Sequence, residues 1–227
     1  MGMGNWGRAA LAGLAALVAT TGANAADLYT PVKAPVAPVV EQSPWMIRLR
    51  ALAVLPNDSG HVNNVPFSDL SYSDSVVPEL DISYFFTKNI AAELILGVTP
   101  HNIYGQGSLN GTNVGRVWLL PPTLLLQYHF TDFGPFKPYV GAGINYTMFF
   151  DQDAKDVNSL DVKNTLGWAL QVGFDYMIDK HWGLNVDVKK LFLEPDFTIT
   201  TAPGALPLTG TANLNPWLIG AGVTYRF

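Results

Sequence analysis

From Trp45 to the C-terminus, apolar residues recur at every second position in one segment after another. The last segment shows this most plainly. Trp217, Ile219, Ala221, Val223, Tyr225 and Phe227 alternate with Leu218, Gly220, Gly222, Thr224 and Arg226. A period of two is that of a β-strand with one apolar face. Rings stand at both ends of that face and small or aliphatic residues fill its middle, the order a lipid-facing strand needs. Segment 166–176 repeats the pattern, with Leu166, Trp168, Leu170, Val172, Phe174 and Tyr176 opposite Gly167, Ala169, Gln171, Gly173 and Asp175. Segments 45–55, 77–86, 90–98, 116–130, 137–149 and 182–189 carry the same alternation, which predicts eight strands in all.

The connections alternate as well. Stretches 56–75, 99–113, 151–161 and 194–213 are long and polar, whereas 87–89, 131–135 and 178–180 are tight turns. Long loops on one side and short turns on the other are the plan of an outer-membrane barrel, with the loops extracellular and the turns periplasmic. A soluble sandwich has no reason for this alternation or for outward rings at strand ends. The expected fold is all-β: an eight-stranded antiparallel up-and-down transmembrane β-barrel over 45–227. Both termini fall on the turn side, so the expected location is the bacterial outer membrane with periplasmic termini.

Composition agrees with this plan. Only 14% of residues are charged, against a soluble average of about 25%. Mean hydropathy is only +0.18, and past the N-terminal segment no apolar run approaches the ~20 residues of a membrane helix. Arg8 is the only charge before Asp27, residues 9–18 form a short apolar core, and Ala23-Asn24-Ala25 is a small-x-small site. That pattern predicts a secretory signal over 1–25. Segment 26–44 contains Pro31, Pro35, Pro38 and Pro44, which predicts an extended periplasmic linker. The absence of cysteine excludes disulfides, thiolate zinc sites and an N-terminal lipid anchor. A net charge of −5 without a basic cluster argues against nucleic acid as a partner. The expected partners are outer-membrane lipid, the barrel-assembly machinery and small hydrophobic solutes.

Strand parity sorts the candidate site residues. Arg48, Arg50 and Arg226 face inward, as do Glu79, Asp81, Glu93, Asp175 and Asp187. Buried charges persist when paired, so these are expected to close the periplasmic half of the lumen, the first strand's arginines meeting acids of the second and third. Ile95, Leu125, Gly97 and Leu191 are the expected apolar lining. Pro78, Pro100, Pro121 and Pro122 fall at a similar height, about 25 Å above the periplasmic turns. Proline donates no ladder hydrogen bond, so the wall beside the third strand is either a lateral gate or simply where strands end.

His61, His101, His129 and His181 form no HxxH pair, and no metal or cofactor is expected. His129 faces inward, where a hydrogen-bonded structural role is expected. Asp58, Ser59 and His61 lie close together in the first long loop. A nucleophile triad is defined by geometry rather than by such proximity, and any surface loop carries these residue types.

Several stretches also resemble the OmpW family of small outer-membrane proteins. They are Ala91-Ala92-Glu93-Leu94, Leu120-Pro121-Pro122-Thr123-Leu124, the glycine-rich run from Lys137-Pro138-Tyr139-Val140-Gly141 to Thr147, Asn215-Pro216-Trp217, and Tyr225-Arg226-Phe227. The resemblance covers 45–227. It implies an eight-stranded barrel with a narrow, partly apolar interior that admits small hydrophobic compounds. The closing strand ending on Phe227 resembles the signal that assembly machinery reads. The proline-rich linker stands outside the family pattern, and Lys189 occupies a lumen position that is aromatic in some members. The resulting expectation is a narrow channel for small hydrophobic molecules with a lateral exit to the outer leaflet. The alternatives are a surface-interaction barrel acting through its loops and a lipid-modifying enzyme. Eight strands leave room for side chains or one small ligand, so a general water-filled pore is not expected.

Overall fold

The period-two segments fold as their alternation requires. The computed structural model describes residues 43–227. The expected signal segment 1–25 and nearly all of the proline-rich segment 26–44 lie outside the described residues. In chain order the strands are β1 (Trp45–Leu55), β2 (Gly60–Val62), β3 (Ser68–Tyr72), β4 (Ser75–Phe85), β5 (Ile90–Gly97), β6 (Thr99–Gly107), β7 (Asn113–Leu120) and β8 (Thr123–His129). They continue with β9 (Phe136–Ala154), β10 (Ser159–Val162), β11 (Thr165–Met177), β12 (Trp182–Phe192), β13 (Asp196–Thr200), β14 (Leu208–Ala212) and β15 (Trp217–Arg226).

Eight strands close a ring in the order β1-β4-β5-β8-β9-β11-β12-β15, every neighbouring pair antiparallel, with β15 pairing back to β1. The closing register runs from Met46↔Arg226 to Leu55↔Trp217. Leu49, Leu94, Leu126, Val140, Ile144, Leu170, Val172, Leu184 and Ile219 are exposed on the outer face, where lipid replaces water. Rings gather at its edge nearest the tight turns and meet edge-on, as in Trp45–Tyr84 at 4.9 Å and Trp182–Tyr225 at 4.8 Å. Inward, β9 comes close to β8. A Cβ on Gly143 would lie 1.9 Å from the Leu124 carbonyl oxygen, so only glycine fits.

The long stretches expected as polar loops are largely strands. β3, β6 and β7 extend the wall onto the upper half of β9 in the order β3-β6-β7-β9. A separate sheet has the order β10-β13-β14-β2. Between them Leu70, Tyr72, Ile103, Val117, Leu119, Leu160, Val162, Phe197 and Ile199 form a buried apolar core. The alternate positions are polar: Asp69, Ser71, Asn102, Gln106, Ser159, Asp161, Thr198 and Thr211. A polar average therefore hides a period of two. The same change of outer face, from aliphatic to Ser, Thr and Asp, marks where the apolar band ends.

The two upper sheets join along their edges through side chains instead of a continuous ladder. Gln152 donates to the Val162 carbonyl at 3.1 Å and accepts from the Val162 amide at 2.5 Å. At the other edge Asp58 accepts from the Tyr72 amide at 2.9 Å, and Ser68 accepts from the Val62 amide at 2.9 Å. The fourth expected strand, 116–130, is interrupted at Pro121-Pro122, which separates β7 from β8. Neither proline has an amide hydrogen to give the ladder.

Candidate functional site

The ring packs a polar core where a soluble protein would pack an apolar one. Alternation turns one face of each strand inward, and in the lower lumen those positions are charged or amidic. Arg48 on β1 is fully buried and grips Asp175 on β11 with two nitrogens, Nε to Oδ1 at 3.0 Å and Nη2 to Oδ2 at 2.6 Å. Its Nη1 also pairs with Glu93 on β5 and donates to Ser83 on β4 at 3.3 Å. Thr224 on β15 and Asn185 on β12 donate to the same Asp175 oxygen at 2.6 and 2.9 Å.

One step higher, Arg50 meets Glu79 at 2.8 Å, Asp81 at 2.5 Å and Asp187 at 2.6 Å. Lys189 joins Glu79 at 2.8 Å and Asp187 at 3.2 Å. Two amides tie the layers together. Gln171 donates to Glu93 at 3.0 Å and to Asp187 at 2.6 Å, and Gln127 on β8 donates to Glu93 at 2.7 Å. With Tyr139 on β9 accepting from Asn185 at 3.0 Å, each of the eight ring strands contributes at least one side chain. The lumen is closed here by a connected plug.

The arginines of β1 meet acids of β4 and β5, as parity suggests, and also acids across the lumen on β11 and β12. Arg226 does not join them. Among the described residues it pairs with no acid, and its guanidinium lies 4.1 Å from the Phe85 ring centroid. It lines a recess of about 450 Å³ on the turn side of the plug, together with His129, Lys88, Lys137 and Asp175. Gln127, Gln171, Asn185, Tyr139 and Thr224 complete the plug without having been singled out. Their inward parity is readable in sequence, their partners on distant strands are not.

Above the plug the inner face turns apolar. Leu52, Val54, Val77, Ile95, Leu125, Ala169, Leu191 and Leu218 are buried together. Over them lies an apolar cavity of about 70 Å³, several times the ~10–15 Å³ one water needs. Ile95, Gly97, Leu191 and Pro121 line it, while Leu125 belongs to the apolar layer but not to the cavity wall. Glu79 and Lys189 sit at its polar end.

Beside the cavity the wall is interrupted. β4 and β5 stop pairing at Glu79↔Gly97, and backbone pairing on that side resumes where the Ser73 amide donates to the Asn102 carbonyl at 3.1 Å, next to the Tyr72↔Ile103 pair of β3 and β6. Pro78 is exposed within the interval on the β4 side, and Pro100 lies on the β6 side of it. On the other flank β5–β8 pairing ends at Ile95↔Thr123, β6–β7 begins at Thr99↔Leu119, and Pro121 and Pro122 lie between. The four prolines thus flank two interruptions, of which the β4 side is the longer. His101 bounds that one from above, its Nδ1 2.6 Å from the Ser73 carbonyl and its Nε2 3.1 Å from Thr99 Oγ1.

The remaining candidates are placed as follows. His129 is buried, 3.0 Å from Gln127 Oε1, between the rings of Phe85 and Tyr139. Asp58 is engaged by the Tyr72 amide and Ser59 by the Tyr72 hydroxyl, while His61 is exposed on β2. No hydrogen bond joins these three among the described residues. Phe227 donates its amide to Trp45 at 3.2 Å and stacks edge-on with Tyr225 at 5.0 Å.

Two outcomes follow from this geometry. Arg50→Met strands three carboxylates together and should cost about 3–5 kcal/mol, seen as a lower urea midpoint. Adding Asp81→Asn should recover part of that loss, and strictly additive losses would show that the two are uncoupled. His101 lies above the apolar band, where burial pushes its pKa below the usual 6.5 against the raising effects of the Ser73 carbonyl and Asp74. A depressed histidine gives stability that is complete above the unfolded value and lost as pH falls through the folded one. Amide protection at Asn102 should therefore fall on acidification below about pH 6.5, and His101→Asn should abolish that dependence.

The comparisons with known proteins fit this arrangement. The OmpW family model matches residues 41–227. An uncharacterized outer-membrane protein of Sinorhizobium fredii, y4mB, is 60% identical over 222 residues, 95% of each chain. The dibenzothiophene metabolism operon protein PahQ of Pseudomonas aeruginosa is 30% identical over 161 residues, 69% of this chain and 76% of that one. The crystal structure of the outer membrane protein OprG from Pseudomonas aeruginosa matches with a TM-score of 0.74 at 26% identity, covering 82% of this chain and 97% of that one. With its closed eight-stranded ring and the family match running to the last residue, this chain belongs to the OmpW family of outer-membrane β-barrels.

Proposed function

We propose that this barrel is a narrow route by which small hydrophobic molecules enter from outside and pass sideways into the outer leaflet. The observation that carries this reading is the position of the apolar cavity, above a sealed polar plug and beside an interruption in the wall. An apolar solute gains by leaving water for that cavity, and the plug offers it no way down. The charged layer would have to lose its pairing to admit it, at a cost of several kcal/mol. Sideways, it meets lipid, which is as apolar as the cavity. Val76, Pro78 and Val98 are exposed along the outer rim of the interruption, so the exit is apolar on both sides. PahQ, named for a dibenzothiophene metabolism operon, is a relative whose name points to an apolar aromatic compound. In this reading both termini are periplasmic, and Phe227 serves as the signal read by the assembly machinery.

Glu79 faces Gly97 in the ladder, so the next pair of positions across the interruption is Pro78 and Val98. The chain has no cysteine, so Pro78→Cys with Val98→Cys introduces a unique pair for a disulfide. Oxidised cells should take up an apolar solute such as octane no faster than cells without the barrel. Reductant should restore the difference. Uptake that is indifferent to the bridge would rule out the lateral route.

A further inference from the structure

The cavity wall is apolar nearly throughout, so whatever distinguishes one hydrophobic solute from another must act at its few polar atoms. Almost all of those are already engaged. Thr123 Oγ1 donates to the Pro121 carbonyl at 3.0 Å and accepts from Asn145 at 2.8 Å. Thr147 Oγ1 donates to Asn145 at 2.7 Å. His101 is held at both nitrogens, one of them by Thr99. Lys189 faces Glu79 and Asp187. Glu79 is the exception. Its Oε1 takes both Lys189 and Arg50 at 2.8 Å, and among the described residues no hydrogen bond reaches its Oε2.

We propose that Glu79 is the specificity-determining residue of the cavity. Its free oxygen selects small apolar molecules that carry one uncharged hydrogen-bond donor, such as an alcohol or a phenol. This rests on the reading of the cavity as a solute site. The solute lies with its hydrocarbon body among Ile95, Leu191 and Leu218 and its O–H directed at Glu79 Oε2. A hydrogen bond to a charged acceptor in a dry site is among the stronger kinds, and a molecule lacking the donor leaves the carboxylate oxygen unanswered.

Charge sets a second limit. The sealed lumen holds five carboxylates, Glu79, Asp81, Glu93, Asp175 and Asp187, against three cations, Arg48, Arg50 and Lys189. A solute carboxylate would bring a further negative charge to the surplus. The site therefore excludes anionic amphiphiles of the same chain length.

The test is barrel-dependent uptake, cells with the protein minus cells without it, for four probes of one length: octan-1-ol, 2-octanone, octane and octanoate. The expected order places octan-1-ol about tenfold above 2-octanone and octane, with octanoate lowest. Glu79→Gln turns an amide N–H toward the cavity in place of an acceptor oxygen. It should raise 2-octanone to the level of octan-1-ol. Where that variant fails to fold, seen as loss of the heat-modifiable folded band, the wild-type series alone decides. Equal uptake of octan-1-ol, 2-octanone and octane would overturn the role of Glu79 and leave the cavity route standing. Octanoate at or above octan-1-ol would also overturn it. No barrel-dependent uptake of any probe would overturn both.

Discussion

Arg50 holds Glu79, Asp81 and Asp187 within 2.8 Å of one guanidinium, and the architecture above and below depends on that arrangement. An eight-stranded ring encloses only enough space for its own side chains. Once those are charged, they must satisfy one another or the ring does not close, because an unpaired charge in a dry interior costs more than the strand ladder gives back locally. The backbone is shaped to that demand. A Cβ on Gly220 of β15 would lie 2.8 Å from Asp187 Oδ1 and 3.3 Å from Arg50 Cδ, so the absence of a side chain there leaves room for the guanidinium and its acid. Strand choice, inward parity and residue size all converge on the same few atoms.

The molecule consequently inverts its solvent logic along its axis. In the membrane the polar side is inside and the apolar side outside. Past the band, the sheets β3-β6-β7-β9 and β10-β13-β14-β2 turn apolar side chains toward each other and polar ones outward, as a water-soluble sandwich does. The cavity lies where the two regimes meet. Its floor belongs to the membrane plug and its roof to the soluble-type core. A site for apolar molecules needs no special construction at such a junction. It needs only that the two packings fail to interlock.

The fold was largely legible because one rule, alternation, governs every membrane strand and survives in the raw sequence. Segments such as 166–176 and 217–227 state it with one apolar inward exception each, Ala169 and Leu218. The upper sheets were not legible because Asp69, Ser71, Thr198 and Thr200 dominate their composition and mask the buried Leu70, Tyr72, Phe197 and Ile199. Parity identified most of the plug, yet not its wiring. Arg48 and Asp175 are 127 residues apart and lie on strands that are not neighbours in the ring, so nothing local pairs them. Arg226 had the right parity but stands at the rim, where the Phe85 ring lies against its guanidinium and, among the described residues, no acid comes within ion-pair distance. The prolines could be placed in height by counting residues. Which flank of the third strand is the more open depends on how β3 and β4 separate in a stretch that reads as loop.

β9 differs from every other strand in one respect. At 19 residues it runs without interruption from the tight turn before it through the membrane ring into the upper sheet. Every other passage between the two levels crosses a break in regular structure, at Pro56, Ser73-Asp74, Val98, Pro121-Pro122, Lys163-Asn164, Pro195 or Pro216. Mechanically, β9 is the mast of the molecule. A load applied to the upper sheets reaches the lipid-embedded wall as uninterrupted strand along this one line, and elsewhere across short breaks bridged by single backbone hydrogen bonds, such as Asn57 to Leu214 and Leu191 to Pro216. The stiffest link between the two levels is therefore one-sided, standing at β9, opposite β1 in the ring.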